Sequence, residues 1–199
     1  MIFKKIYFLA TIPEISKSYI SKELTTVTAV NDIRIARAKQ GDSCAFAELY
    51  EIYSGDLYRF ALYMLGSKED AEDAVQDAVF SAWRNIRALK DDSLFKAWLF
   101  KILSNRCKTK LSEKSRSPEK LPIEDYEFLL STENSELSVE LLQAISALEP
   151  PDGQLIMMSV IGGFKSHELA SIYGMLPATV RSRQKRALEK LKAELGGKI

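Results

Sequence analysis

Residues 165–195, KSHELASIYGMLPATVRSRQKRALEKLKAEL, contain the turn that decides how the chain folds. Ser166 stands where a helix cap is expected, and Leu169, Ala170 and Ile172 give the short helix after it an apolar side. Gly174 allows a tight turn, because glycine enters the left-handed region without a Cβ clash, and Pro177 carries the preset φ that suits a helix start. A second helix from about Ala178 has an apolar stripe of Val180, Ala187, Leu188, Leu191 and Leu195. Its other side carries Arg181, Arg183, Lys185, Arg186, Lys190 and Lys192. A glycine turn followed by a basic helix is the helix-turn-helix pattern that enters a DNA major groove. An ordinary helical hairpin with a solvated basic face has the same spacing, and this segment alone leaves both open.

Upstream, Leu155, Ile156, Met157, Val160 and Ile161 predict a helix that stops at Gly162 and Gly163. Before it, Val139, Leu141, Leu142, Ile145 and Leu148 predict another, interrupted by Pro150 and Pro151. Residues 112–138 lose helical period, contain Pro118 and Pro122, and read as a linker. It is acidic: net charge is −4 over 112–138, against +2 over 1–30, +1 over 31–111 and +2 over 139–199. Such a linker spans about 90 Å when extended and about 30 Å as a flexible coil. Either it is held along its length through Ile123, Tyr126, Phe128 and Leu129, or it is a solvated tether.

The N-terminal half is organised around residues 67–86, SKEDAEDAVQDAVFSAWRNI. Ala71, Ala74, Val75, Ala78, Ala82 and Ile86 recur at helical spacing, and Ser67 with Asp70 forms a variant of the capping box. Carboxylates in the first turns suit the positive end of the helix dipole. Asp73, Gln76 and Asp77 extend that row past the first turn on one face. That face is either a solvated acidic surface or a grip for something basic.

Before this stretch, Asp42 or Ser43 caps a helix whose stripe is Phe46, Leu49, Tyr50, Tyr53, Leu57, Phe60, Ala61, Met64 and Leu65, closed by Gly66. A first short helix from Asn31 ends at Gly41, and residues 1–30 read as a mobile arm. After it, residues 87–93 read as a loop and Ser93 as the cap of a helix with Phe95, Trp98, Leu99, Ile102 and Leu103 inward. The opposite side carries Lys101, Asn105, Lys108 and Lys110, with Arg106 close by. Lysines interleaved with an amide suit phosphate and base contacts, or simply solubility.

Bulk composition excludes several classes. Hydrophobic content of 46% and charged content of 28% are ordinary for a globular protein. Cys44, Cys107 and His167 stand in no metal-ligand spacing, so free thiols and no metal site are expected. No apolar run approaches the roughly 18 residues of a membrane span. Neither a nucleophile with its base nor a glycine-rich phosphate loop is present, so no enzymatic activity, cofactor or small-molecule substrate is expected.

Taken together, 31–111 and 139–195 resemble a bacterial RNA polymerase sigma factor of the extracytoplasmic-function (ECF) group. Residues 71–83, AEDAVQDAVFSAW, are similar to its polymerase-binding region and 95–105, FKAWLFKILSN, to its promoter-melting helix. In the C-terminal half, 148–151 (LEPP), 166–170 (SHELA) and 179–183 (TVRSR) match its last domain. The resemblance implies an all-α fold of two small helical domains joined by an acidic linker. The first, 31–111, would bind polymerase and the −10 element; the second, 139–199, would bind the −35 element.

Carried onto this sequence, the resemblance assigns Asp73, Gln76 and Asp77 to the coiled coil of the polymerase β′ subunit. It assigns Lys101, Asn105 and Lys108 to the −10 element, and Arg181, Ser182, Lys185 and Arg186 to the −35 major groove. Core RNA polymerase, promoter DNA and an anti-sigma factor are the implied partners, and the cytoplasm the implied location. Gln184, where the family carries an apolar residue, and Gly153, where a basic one is common, depart from the pattern. A helix-turn-helix regulator that binds DNA without polymerase is the alternative.

Overall fold

The computed structural model describes residues 33–113 and 139–195, which form helices and turns without a strand. The arm expected over 1–30 and almost all of the linker, 114–138, lie outside the described residues.

Among the described residues the N-terminal half holds the helices α1 (33–39), α2 (Ser43–Leu65), α3 (Lys68–Asn85) and α4 (Phe95–Glu113). Of the two caps open for α2, Asp42 is the one used, its carboxylate accepting the Ala45 N–H at 3.0 Å. Gly66 ends the helix at φ 70°, in the left-handed region, with its N–H donating to Leu62 O. Ser67 caps α3 as expected, accepting from the Asp70 N–H at 3.3 Å.

Ala71, Ala74, Val75, Ala78 and Ala82 are all buried, and Ile86 follows them. Their small side chains let α2 and α4 approach α3 closely, and leucines and aromatic rings fill the core between them. Phe46 packs on Trp83 at 5.1 Å, Tyr53 on Phe95 at 6.0 Å and Phe60 on Phe100 at 6.0 Å.

The connection between α3 and α4 differs from the expected loop. It contains two 3₁₀ turns, Ile86–Ala88 and Asp92–Leu94. Ser93 is not the cap. Asp91 Oδ1 accepts from both the Ser93 N–H, at 3.0 Å, and the Ser93 hydroxyl, at 2.6 Å, because a carboxylate two residues upstream is the better acceptor for this turn.

The C-terminal half holds α5 (Val139–Ser146), α6 (Asp152–Ile161), α7 (Ser166–Tyr173) and α8 (Pro177–Glu194). Pro177 is the first residue of α8, and Gly174 makes the preceding turn at φ 66°. Val180, Ala187 and Leu191 are buried, with Leu188 and Leu195 packed beside them. Ser166 does not cap α7. Lys165 occupies the cap position, its N–H donating to Glu168 Oε2 at 2.7 Å, while the Ser166 hydroxyl turns to Gln184. One hydrophobic cluster runs through both halves, because α4 packs on α7 and α2 on α6.

Candidate nucleic-acid and partner interface

Three faces carry the residues singled out in the sequence. On α3, Asp73, Gln76 and Asp77 are exposed, opposite the buried alanine stripe. Lys110, expected on the basic side of α4, instead reaches across to this row, 3.1 Å from Asp73 and 3.9 Å from Asp70. Asp73 therefore has an intramolecular counter-ion at the edge of the row. Phe80 continues the row one turn further and is 62% exposed, with the Arg84 guanidinium 5.7 Å from its ring centre. The helical stripe left Phe80 outside the core; that alone was the signal for an exposed aromatic there.

On α4, Lys101, Asn105 and Lys108 stand together on one exposed strip. Its far edge meets the C-terminal half. Lys101 Nζ donates to Ser171 O at 3.2 Å, and Lys108 Nζ lies 4.8 Å from the centre of the Tyr173 ring. Phe100, absent from the expected inward set, is fully buried because it faces Phe164 of the C-terminal half, centre to centre 4.9 Å and edge-on. A period read within one helix cannot show a partner that comes from sixty residues away.

On α8, Arg181, Ser182, Lys185 and Arg186 are all exposed. Lys185 has a loose contact of 3.9 Å with Glu189, one turn along, of the kind that contributes little in solvent. Arg183 differs from its neighbours: it turns back to Asp152 on α6, Nη1 to Oδ1 at 2.8 Å, with the carboxylate nearly buried. Its role is therefore to tie α8 to α6.

Gln184, the departure from the apolar pattern, is satisfied at both ends of its amide. Its nitrogen donates to Ser159 Oγ at 2.8 Å and its oxygen accepts from Ser166 Oγ at 2.9 Å. A polar clasp thus joins α6, α7 and α8 where an apolar side chain would have packed, and the exposed basic face of α8 is left undisturbed. Gly153, the other departure, lies inside the contact with α2: a Cβ there would stand 2.5 Å from Tyr63 Oη.

Among the described residues no group of His, Cys, Asp and Glu is placed to hold a metal ion, and no helix is long and apolar enough to cross a membrane. Cys44 is exposed and Cys107 buried, burial pushing the Cys107 thiol up to about 12.

Comparison with known proteins agrees with this geometry. Residues 49–117 match Sigma-70 region 2 and residues 138–191 match Sigma-70, region 4. ECF RNA polymerase sigma factor SigM of Mycobacterium tuberculosis (strain ATCC 25618 / H37Rv) is 30% identical over 157 residues, covering 78% of this chain and 80% of the relative. The ECF RNA polymerase sigma-E factor of Haemophilus influenzae is 30% identical over 180 residues, covering 81% and 93%. SigW of Bacillus subtilis (strain 168) is 29% identical over 177 residues, covering 81% and 95%.

Among solved structures, CnrH in complex with the cytosolic domain of CnrY shares the fold with a TM-score of 0.67 at 23% identity, over 85% of this chain and 99% of that one. RpoE of Bartonella quintana, in complex with the anti-sigma factor NepR, does so with a TM-score of 0.61 at 23% identity, over 77% and 98%. Two region matches in the right order, full-length relatives and the shared all-helical fold place this chain in the family of ECF RNA polymerase sigma factors, which bind core polymerase and direct it to promoters.

Proposed function

We propose that the three faces divide the work of initiation as follows. Asp73, Gln76 and Asp77 on α3 grip the basic coiled coil of the polymerase β′ subunit. Lys101, Asn105 and Lys108 on α4 hold the unstacked −10 strand, and Arg181, Ser182, Lys185 and Arg186 on α8 lie in the −35 major groove. The functional units are then 31–111 and 139–199, with 112–138 as the connector and 1–30 outside both.

The observation that carries this reading is the outer face of α8, where four polar or basic residues stand in solvent while Arg183 and Gln184 between them are turned inward as struts. A helix held from behind in this way presents a fixed set of donors to a groove. The protein carries no chemistry of its own in this reading; it lends recognition to an enzyme. It works in the cytoplasm, where polymerase is, and an anti-sigma factor, as in the NepR complex of the Bartonella relative, controls its release.

The test is charge reversal on the acidic row. Asp77→Lys is expected to weaken capture of core polymerase with helical content unchanged. Unchanged capture would return the row to a solvated surface and move the polymerase contact to another face of the protein.

A further inference from the structure

Leu176, the last residue before α8, has its side chain 72% exposed, more than any other large apolar side chain among the described residues. Its neighbours in the chain find the core: Tyr173 and Met175 pack against the hydrophobic cluster, and Val180 is fully buried one turn into α8. The backbone around it is tied on both sides, since the Met175 N–H donates to Ala170 O at 2.9 Å and Leu176 O accepts from the Val180 N–H at 3.1 Å. A leucine is thus held in solvent by a fixed frame. Pro177 and Ala178 after it are also exposed, so apolar surface runs unbroken over three residues. Ala178 stands three, four and seven positions before Arg181, Ser182 and Lys185, which puts it on their face of the helix. The exposed basic face of α8 therefore ends in an apolar tip.

Single exposed leucines are ordinary on protein surfaces and need no partner. This one adjoins the face proposed for the −35 major groove, and the groove narrows what it can meet. Phosphates select hydrogen-bond donors, but the side chains of 176–178 offer none, and Pro177 lacks even a backbone N–H. Base edges in the major groove present donors and acceptors with one apolar exception, the C5 methyl of thymine. An aliphatic side chain beside the first turn of a recognition helix, the part that contacts base edges, matches that methyl.

We propose that Leu176 packs on the C5 methyl of a thymine in the −35 element and is a specificity-determining residue for promoter choice. The proposal rests on the assignment of the α8 face to the −35 major groove. It divides the reading between two chemistries: Arg181 and its polar neighbours select hydrogen-bonding edges, and Leu176 selects a methyl.

Holoenzyme formed with the full chain is bound to a promoter that it selects from a genomic library, with each thymine of the −35 element, on either strand, replaced in turn by deoxyuridine. The exchange removes the methyl and keeps every hydrogen-bonding group. At one thymine, replacement is expected to lower affinity about 4-fold, the equivalent of about 0.8 kcal/mol for one buried methyl. Leu176→Ala is expected to lose the same factor on the thymine promoter and nothing further on the uridine one, and Leu176→Met, which keeps an aliphatic side chain of similar volume, to retain the difference. Because the side chain is exposed, helical content and thermal unfolding of Leu176→Ala are expected to match the parent. A uridine series without effect at any position overturns the proposal, as does a methyl effect that persists undiminished in Leu176→Ala. Arg181→Ala tells this failure from failure of the underlying assignment. Relaxed −35 preference in Arg181→Ala beside a flat uridine series removes only the methyl contact, whereas −35 preference untouched by both Arg181→Ala and Leu176→Ala removes this face of α8 from the groove.

Discussion

On α4, Lys101 and Lys108 direct their ammonium groups at the neighbouring α7, at Ser171 O and the Tyr173 ring, whereas on α8 Arg181, Ser182 and Arg186 stand in solvent with α6 and α7 behind them. Both faces are rows of cations with one amide or hydroxyl among them, and charge pattern alone treats them alike. Their surroundings separate them. The α8 face is free because its supporting contacts, Arg183 to Asp152 and Gln184 to two serines, lie on the opposite side of the helix. The α4 strip is bordered because Phe100, on the same helix, is claimed by Phe164. A basic face is thus a local property of sequence, while its availability is set by what the rest of the chain packs beside it.

The largest expected effect is on the packing that separates the two faces. Phe100 is fully buried between Phe60 and Phe164, so Phe100→Ala is expected to destabilise the protein by about 3–5 kcal/mol, read from urea unfolding. Phe80→Ala, at a ring 62% exposed, is the matched control and is expected to leave stability within about 0.5 kcal/mol. Comparable losses in the two variants would mean that the Phe100–Phe164 contact is not formed in solution.

Next come two arginines two residues apart on α8. Arg183→Ala strips a nearly buried carboxylate of its partner, and a loss of about 1–3 kcal/mol in stability is expected from the unsatisfied Asp152. Arg181→Ala is expected to leave stability unchanged and to relax −35 preference by about 1–3 kcal/mol, the worth of a bidentate base contact. Competition binding with altered −35 duplexes distinguishes them. If Arg181→Ala leaves preference untouched while Arg183→Ala abolishes it, the reading face is turned by half a helix from the one assigned.

Much of this was legible before the structure. The alanine stripe of α3, the Asp42 and Ser67 caps, the Gly66, Gly162 and Gly174 stops and the Val180–Ala187–Leu191 stripe depend on neighbours within a few residues, and all appear where spacing puts them. What could not be read is non-local. Phe100, Lys110 and Arg183 each look like members of a helical face, and each is redirected by a residue 31 or more positions away. Two caps were misplaced for a smaller reason: Ser93 and Ser166 are sound cap candidates, but the carboxylates of Asp91 and Glu168 accept the backbone N–H groups of those turns instead.

A smaller effect is expected at the bridge between α4 and the acidic row. Lys110 sits 3.1 Å from Asp73, whose side chain is 58% exposed, so Lys110→Ala is expected to change stability by no more than about 0.5–1 kcal/mol. Its consequence for partner binding has the opposite sign from that of Asp77→Lys. Freed of its internal counter-ion, Asp73 is available to a basic partner, and capture of core polymerase is expected to hold or strengthen at low salt. A marked loss would instead make Lys110 a contact in its own right.

The smallest expected effect is at Gln184, where the sequence departs from the apolar stripe and the structure supplies the compensation. Its amide makes two hydrogen bonds to Ser159 and Ser166, and Ser159 Oγ also donates to Leu155 O, so that hydroxyl keeps a partner if the amide is removed. Ser166 is only half-buried and gains water. Gln184→Leu therefore exchanges two hydrogen bonds for buried apolar surface of similar volume, a trade that is close to neutral when no donor or acceptor is left stranded. Thermal unfolding is expected to move by no more than the equivalent of about 0.5 kcal/mol, and −35 preference not at all, because the amide is directed at Ser159 of α6 and Ser166 of α7 and not into the solvent in front of α8. A shift in base preference with stability unchanged would break the division between strut and reader on which the contrast of the two basic faces depends.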